Sequence, residues 1–144
     1  MNEGEISTRL GLVGIPACAE VIIVERDLRL AELTGAHYHI SNVSTKETVE
    51  VIRKAKLKNK AFRLHSQGKI SEAAKYYKYL IQQGLKDHIV YSNYGVILIN
   101  SGKSEEAKNA LKKAIQMKPD FALAHYNLGI TLKSLGNLRE AELS

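Results

Sequence analysis

Cysteine occurs once in this chain, tryptophan not at all, and no apolar run is long enough to span a bilayer. With Cys18 alone, no intrachain disulfide can form, which fits a reducing compartment. The most apolar stretch, Gly11 to Val24, is short for a membrane span and contains Glu20. The start, Met-Asn-Glu-Gly-Glu, is acidic and lacks the basic region that opens a signal peptide. A cytoplasmic protein with no membrane partner is expected. Also missing are a zinc-finger spacing of Cys and His, a P-loop, a glycine-rich dinucleotide fingerprint and a Ser-His-Asp ordering. No aromatic-poor, charge-dense tract suggests disorder.

What is present is an uneven charge. Residues 1–53 carry 5 Lys or Arg against 8 Asp or Glu, and residues 54–144 carry 16 against 7. The halves therefore hold −3 and +9 within the total of +6. Such a split marks two segments with different histories or partners. The lysines of the second half are spread over every candidate helix, which reads as solvated surface, and a nucleic-acid partner is not expected.

The second half repeats. Gly68, Gly102 and Gly136 are spaced by 34 residues, as are Asn59, Asn93 and Asn127, and Ala73, Ala107 and Ala141. Three registers with one period divide it into units 54–87, 88–121 and a partial 122–144. Each unit reads as two helices around a glycine turn. Tyr91, Tyr94, Gly95 and Leu98 follow the spacing of one helix face. Gly102 stops that helix. Ser104 is the expected N-cap of the next, with Glu105 and Glu106 in its first turn. Ala107, Leu111, Ala114 and Ile115 form its inner face, and Pro119 closes the unit. Small residues fall where paired helices approach: Gly95 with Ala107, Gly129 with Ala141, and Ala61 with Ala73.

This pattern resembles the tetratricopeptide repeat (TPR) family, over about 91 residues. The small-residue pairs, the turn glycines, Leu111, Ala114 and Pro119 carry the resemblance. The family's first-helix tryptophan is replaced by Leu57, Tyr91 and His125, and Leu85 stands where unit one should close with proline, so a differently angled junction is expected there. The resemblance implies a mainly α fold, a solenoid of antiparallel helical hairpins whose stacking creates a concave face. It also implies that the first helix of each unit lines that face and binds a peptide or protein. Asn59, Asn93 and Asn127 share one position on those helices. A primary amide both donates and accepts, so such a ladder can hold a peptide backbone; alternatively these amides satisfy only local backbone groups or water. Ser92, Val96, Asn100, Tyr126, Ile130 and Lys133 are their expected neighbours. These are not the basic and asparagine set of family members that clamp a C-terminal carboxylate, so no chaperone-tail ligand is expected. The third unit stops part-way through its second helix, about ten residues short of the period. That leaves Leu128, Ile130 and Leu132 partly uncovered, and self-association or a truncated gene product is the expectation.

Residues 2–56 do not fit the period. A helix is expected over Ala17 to Leu33, with Pro16 near its start and Gly35 after its end. A short strand is expected over His37 to Val43, and a second helix over Thr45 to Lys56 capped by Ser44 or Thr45. The run from Glu3 to Leu12, Gly14-Ile15-Pro16, Ala19-Glu20, Arg26-Asp27, Thr34-Gly35 and Tyr38 to Thr45 resembles an internal segment of dihydroorotase. That family comprises metal-dependent amidohydrolases with a TIM-type barrel, and the resemblance implies a helix–strand–helix piece of such a barrel. Its family strand carries a zinc-ligand histidine where this chain has Asn42, and a neutral amide oxygen replaces imidazole poorly. The barrel's early His-x-His pair, bridging carboxylate and later catalytic aspartate have no counterpart. His37 and His39 read as ordinary strand histidines. The expected whole is a non-catalytic protein-binding repeat, with neither cofactor nor metal site. It is fused near Arg53–Lys58 to an inactive remnant of a zinc amidohydrolase, through a helix that would serve as a makeshift cap of the array. The competing reading is a dihydroorotase-type enzyme that obtains its missing ligands from another chain.

Overall fold

The computed structural model describes residues 16–136, and every described regular element is an α-helix. We number them α1 Ala17–Thr34, α2 Lys46–Ser66, α3 Ile70–Gln82, α4 His88–Asn100, α5 Ser104–Met117 and α6 Ala122–Ser134. The chain divides into two compact units, Met1–Lys56 and Leu57–Ser144, and the division falls within α2. Helix α2 runs unbroken through Arg53–Lys58.

In the first unit, α1 starts after Pro16, whose φ of −55° suits a helix entrance, and ends at Gly35 with φ +68°. The expected strand over 37–43 does not form, and no strand occurs among the described residues. An extended segment with no neighbour has nowhere to place its ladder hydrogen bonds. The segment is tied down by side chains instead: the Tyr38 hydroxyl donates to Asp27 Oδ2 at 2.8 Å. His37, His39 and Asn42 are exposed. The barrel-like strand is thus corrected to an irregular connection.

Thr45 caps α2. Its Oγ1 accepts from the Thr48 amide at 3.1 Å, and its carbonyl takes the first helical bond from Val49. Glu20 reaches across from α1 and accepts from the Ser44 and Thr45 amides, both 3.1 Å from Oε1, and from the hydroxyls of both residues. Hydrogen bonding from the Ser44 hydroxyl, then the Thr48 hydroxyl, with smaller contributions from the Ser44 and Thr45 amides, holds the Glu20 carboxyl down at about 2. Among the described residues of this unit, Val24, Thr45 and Thr48 are enclosed, while Ile22, Ile23, Leu30 and Leu33 of α1 stay exposed.

In the second unit the helices alternate in the hairpins that the period predicts. The turn glycines Gly68, Gly102 and Gly136 take φ of +76°, +72° and +76°, where a side chain on Cβ is strained. Helix α4 packs against α3, α5 and α6. Two adjacent stripes on it explain how. Val90 and Ile97 pack with Ala61, Leu64, Ala73 and Tyr77. Tyr91 and Leu98 pack with Ala107, Ala110, Leu111, Ala114, Ala124, Leu128 and Leu132. A helix buried on several sides reads as apolar nearly all round, and HIVYSNYGVILIN does.

Three local expectations change. Ser104 is the first residue of α5 rather than its cap. Lys103 holds the cap position without a side-chain hydrogen bond, because its ammonium has no acceptor to offer the helix amides; its own amide returns to Leu98 O at 2.9 Å. Gly95 makes its closest approach to Leu111, one turn past Ala107; a Cβ on Gly95 would stand 2.8 Å from Leu111 Cγ. Leu128 and Leu132 are 6% and 1% exposed, so of the trio expected to be uncovered only Ile130 is. Ala141, the expected partner of Gly129, lies outside the described residues.

Candidate peptide-binding surface

The first helices of the three hairpins are α2 beyond Leu57, α4 and α6. Asp87 fixes the start of α4: Oδ1 accepts from the Ile89 and Val90 amides at 2.9 and 3.1 Å, and Oδ2 accepts from Lys58 Nζ at 3.1 Å. One aspartate therefore caps α4 and ties it to α2.

On α6, Leu123, Tyr126 and Ile130 follow i, i+3, i+7 spacing and remain 50%, 68% and 43% exposed. On α4, Ile89 is exposed and Val96 half-buried, 34 residues before Leu123 and Ile130. Apolar side chains thus recur outward at equivalent positions of neighbouring helices. Asn100 and Lys133 are exposed towards the C-terminal ends of α4 and α6.

The three asparagines differ in setting. Asn59 is exposed. Asn93 is half-buried and donates from Nδ2 to the Tyr77 hydroxyl at 3.4 Å. Asn127 is 8% exposed and its Nδ2 is enclosed without a hydrogen-bond partner. Ser92 departs from the expectation. It is fully buried with an unpartnered Oγ, because neighbours on three sides of α4 cover it.

A cavity of about 270 Å³ opens beside Asn93, lined by Phe62, His65 and Ser66 of α2, Tyr77 of α3 and Asn93 itself. The Tyr77 ring is wholly buried, edge-on to His65 and tilted against Phe62. Its hydroxyl lies 3.2 Å from His65 Nδ1. Burial raises the Tyr77 phenol above its ordinary value, against the smaller downward pull of Asn93. Of these five residues only Asn93 was picked out by sequence. The period contained the missing signal, since Phe62 precedes Val96 and Ile130 by one and two repeats, and Ser66 likewise precedes Asn100.

Among the described residues, no three His, Cys, Asp or Glu side chains converge as metal ligands. His37, His39 and Asn42 are exposed on the irregular connection, so the residues present there do not fit a zinc centre. Among the described residues no helix is long and apolar enough to cross a membrane.

Comparison with known proteins follows the same division. Residues 95–136 match the TPR repeat family model. Residues 1–48 match the dihydro-orotase-like family model. Over 56 residues the chain is 59% identical to a dihydroorotase of Desulfotalea psychrophila, 61% to one of Syntrophobacter fumaroxidans and 55% to one of Staphylococcus epidermidis. Each match covers 39% of this chain, which spans only 13% of the length of those relatives. Among solved structures, the second TPR of Spaghetti (RPAP3), bound to the HSP90 peptide SRMEEVD, aligns with TM-score 0.57 and 22% identity, over 62% of this chain and 83% of that one. This likeness establishes the helical-repeat fold.

Proposed function

We propose that residues 54–144 bind an extended or helical peptide segment of a protein partner along the first helices of the repeat, without catalysis. The observation that carries this is the outward apolar set Ile89, Leu123, Tyr126 and Ile130. A helix does not leave a tyrosine 68% exposed beside two exposed aliphatics for its own stability; contiguous apolar surface of this kind marks a contact site. Asn59, Asn93 and Asn127 supply amides that hold the backbone, with Val96, Asn100 and Lys133 at the margins. Buried Ser92 contributes beneath the surface rather than by contact. The peptide bound to the structural neighbour supports the reading by analogy of fold.

The dihydroorotase-like segment is, in this reading, a remnant without activity. Its Asn42 stands where that family has a zinc-ligand histidine, and no described donor set replaces it.

The test is selection of a random-peptide display library on the full chain. Enriched sequences should carry apolar residues and bind at least tenfold more weakly to Tyr126→Ala and Ile130→Ser. An empty selection, or binding indifferent to both substitutions, refutes the proposal.

A further inference from the structure

We infer that the outward face of α6 receives an amphipathic helix of the partner, one that carries apolar residues at i, i+3 or i+4 and i+7 and a carboxylate for Lys133. This rests on the peptide-binding reading above and adds the conformation and charge of the bound segment to it.

The exposed apolar surface has a direction. Along α6, Leu123, Tyr126 and Ile130 are 50%, 68% and 43% exposed. Across the repeat the exposure falls, since Ile130 corresponds to Val96 and Phe62 one and two periods earlier, and both are half-buried. The apolar surface therefore runs along one helix rather than across three. From Leu123 to Ile130 it covers two turns, about 10.5 Å.

Helix α4 shows what covers such a face. Ser92 stands one period before Tyr126 and is fully buried. Helix α6 packs beside α4 and brings Ala124, Leu128 and Leu132 into one cluster with Tyr91 and Leu98. Tyr126, by contrast, is left to solvent. A helix laid on α6 as α6 lies on α4 covers it.

Backbone chemistry favours the same occupant. An extended segment brings an unpaired N–H and C=O at every residue, and pressing them onto Leu123, Tyr126 and Ile130 removes their water without replacing it. The asparagine ladder places one amide on each first helix, so a segment that follows α6 meets only one of its members. A helix arrives with its backbone bonds made internally. Its residues at i, i+3 or i+4 and i+7 match the stripe over the same two turns.

The charge of the occupant follows from the end of the stripe. Lys133 lies one turn beyond Ile130 and is exposed. No carboxylate among the described residues pairs with it, and neither α4 nor α6 contains Asp or Glu. An acidic residue at that end of the bound helix meets an uncompensated cation, whereas a basic one is repelled.

The experiment is the display selection on the full chain, read for register. Enriched peptides should align with apolar residues at i, i+3 or i+4 and i+7 and an acidic residue at one end. A synthetic peptide of that sequence, mixed with the chain, should give more helical circular dichroism than the sum of the separate spectra. Proline at its centre should weaken binding about tenfold or more. Lys133→Glu should weaken it about threefold, and lysine in place of the peptide's acidic residue should restore it. Enriched peptides with apolar residues in strict alternation, or binding that tolerates the central proline, overturn the helical occupant. An affinity unchanged by Lys133→Glu overturns the charge assignment. Either result leaves the apolar binding surface standing, whereas an empty selection removes both readings.

Discussion

Lys58 on α2 and Asp87 at the start of α4 form an ion pair at 3.1 Å with both side chains largely enclosed, 13% and 18% exposed. The same carboxylate accepts from the Ile89 and Val90 amides. A connection without proline, Gln83 to Asp87, is therefore fixed by one charged side chain instead of by a rigid ring.

Asp87→Ala should lower the stability of the repeat unit by about 2 kcal/mol, from loss of an N-cap and of a partly enclosed pair. Asp87→Asn keeps an accepting oxygen for the cap and should cost about half as much. Urea unfolding followed by circular dichroism measures both. Equal losses would mean that the cap contributes nothing.

Gly95→Ala places a Cβ 2.8 Å from Leu111 Cγ. The overpacking costs about 1–3 kcal/mol, partly offset by alanine's better helix propensity, about 1 kcal/mol. A net loss near 1 kcal/mol is expected. In Leu111→Ala the same substitution should become neutral or stabilising, because the obstructing side chain is gone. Additivity in that double-mutant cycle would contradict the close approach.

The Glu20 carboxyl is lowered from 4.5 to about 2 by the Ser44 and Thr48 hydroxyls and by backbone amides at the start of α2. A depressed folded pKa gives stability that is present above the unfolded value and is lost as pH falls through the folded one. The Ser44 and Thr45 amide resonances should therefore hold their positions down to about pH 4.5 and move as pH falls towards about 2. Glu20→Gln should abolish that titration. Resonances that move instead around pH 4.5 in the parent chain would show that the carboxylate is not held.

Purified under metal-replete conditions, the chain should retain no stoichiometric zinc after dialysis and should not hydrolyse dihydroorotate. Elemental analysis and a spectrophotometric assay check this. Bound zinc together with turnover would restore the amidohydrolase reading.

Much of the array was legible because its signals are covalent and periodic. The left-handed glycines at 68, 102 and 136 dictate turns wherever they stand, and Ala61, Ala73 and Ala107 are fully buried as their spacing implied. The strand over 37–43 was misread because an extended segment forms a strand only beside a partner strand, and none occurs among the described residues. Ser92 was placed on the surface from its helix position, yet burial depends on what α4 packs against, which lies elsewhere in the chain. The Tyr77 pocket escaped notice for a related reason. Its residues come from three helices; the period places Phe62 and Ser66 in register with Val96 and Asn100, and tyrosine at the Leu111 position marks where this site differs from its repeat.

The central claim is that the outward face of α4 and α6, with the adjoining end of α2, is where a peptide binds. Its most direct test is an amide chemical-shift titration of the full chain with a peptide enriched on it. The account predicts perturbations concentrated at Asn93, Val96, Tyr126 and Ile130, with α3 and α5 largely unmoved. Perturbations confined to α3 and α5, or to residues 16–45, would contradict it.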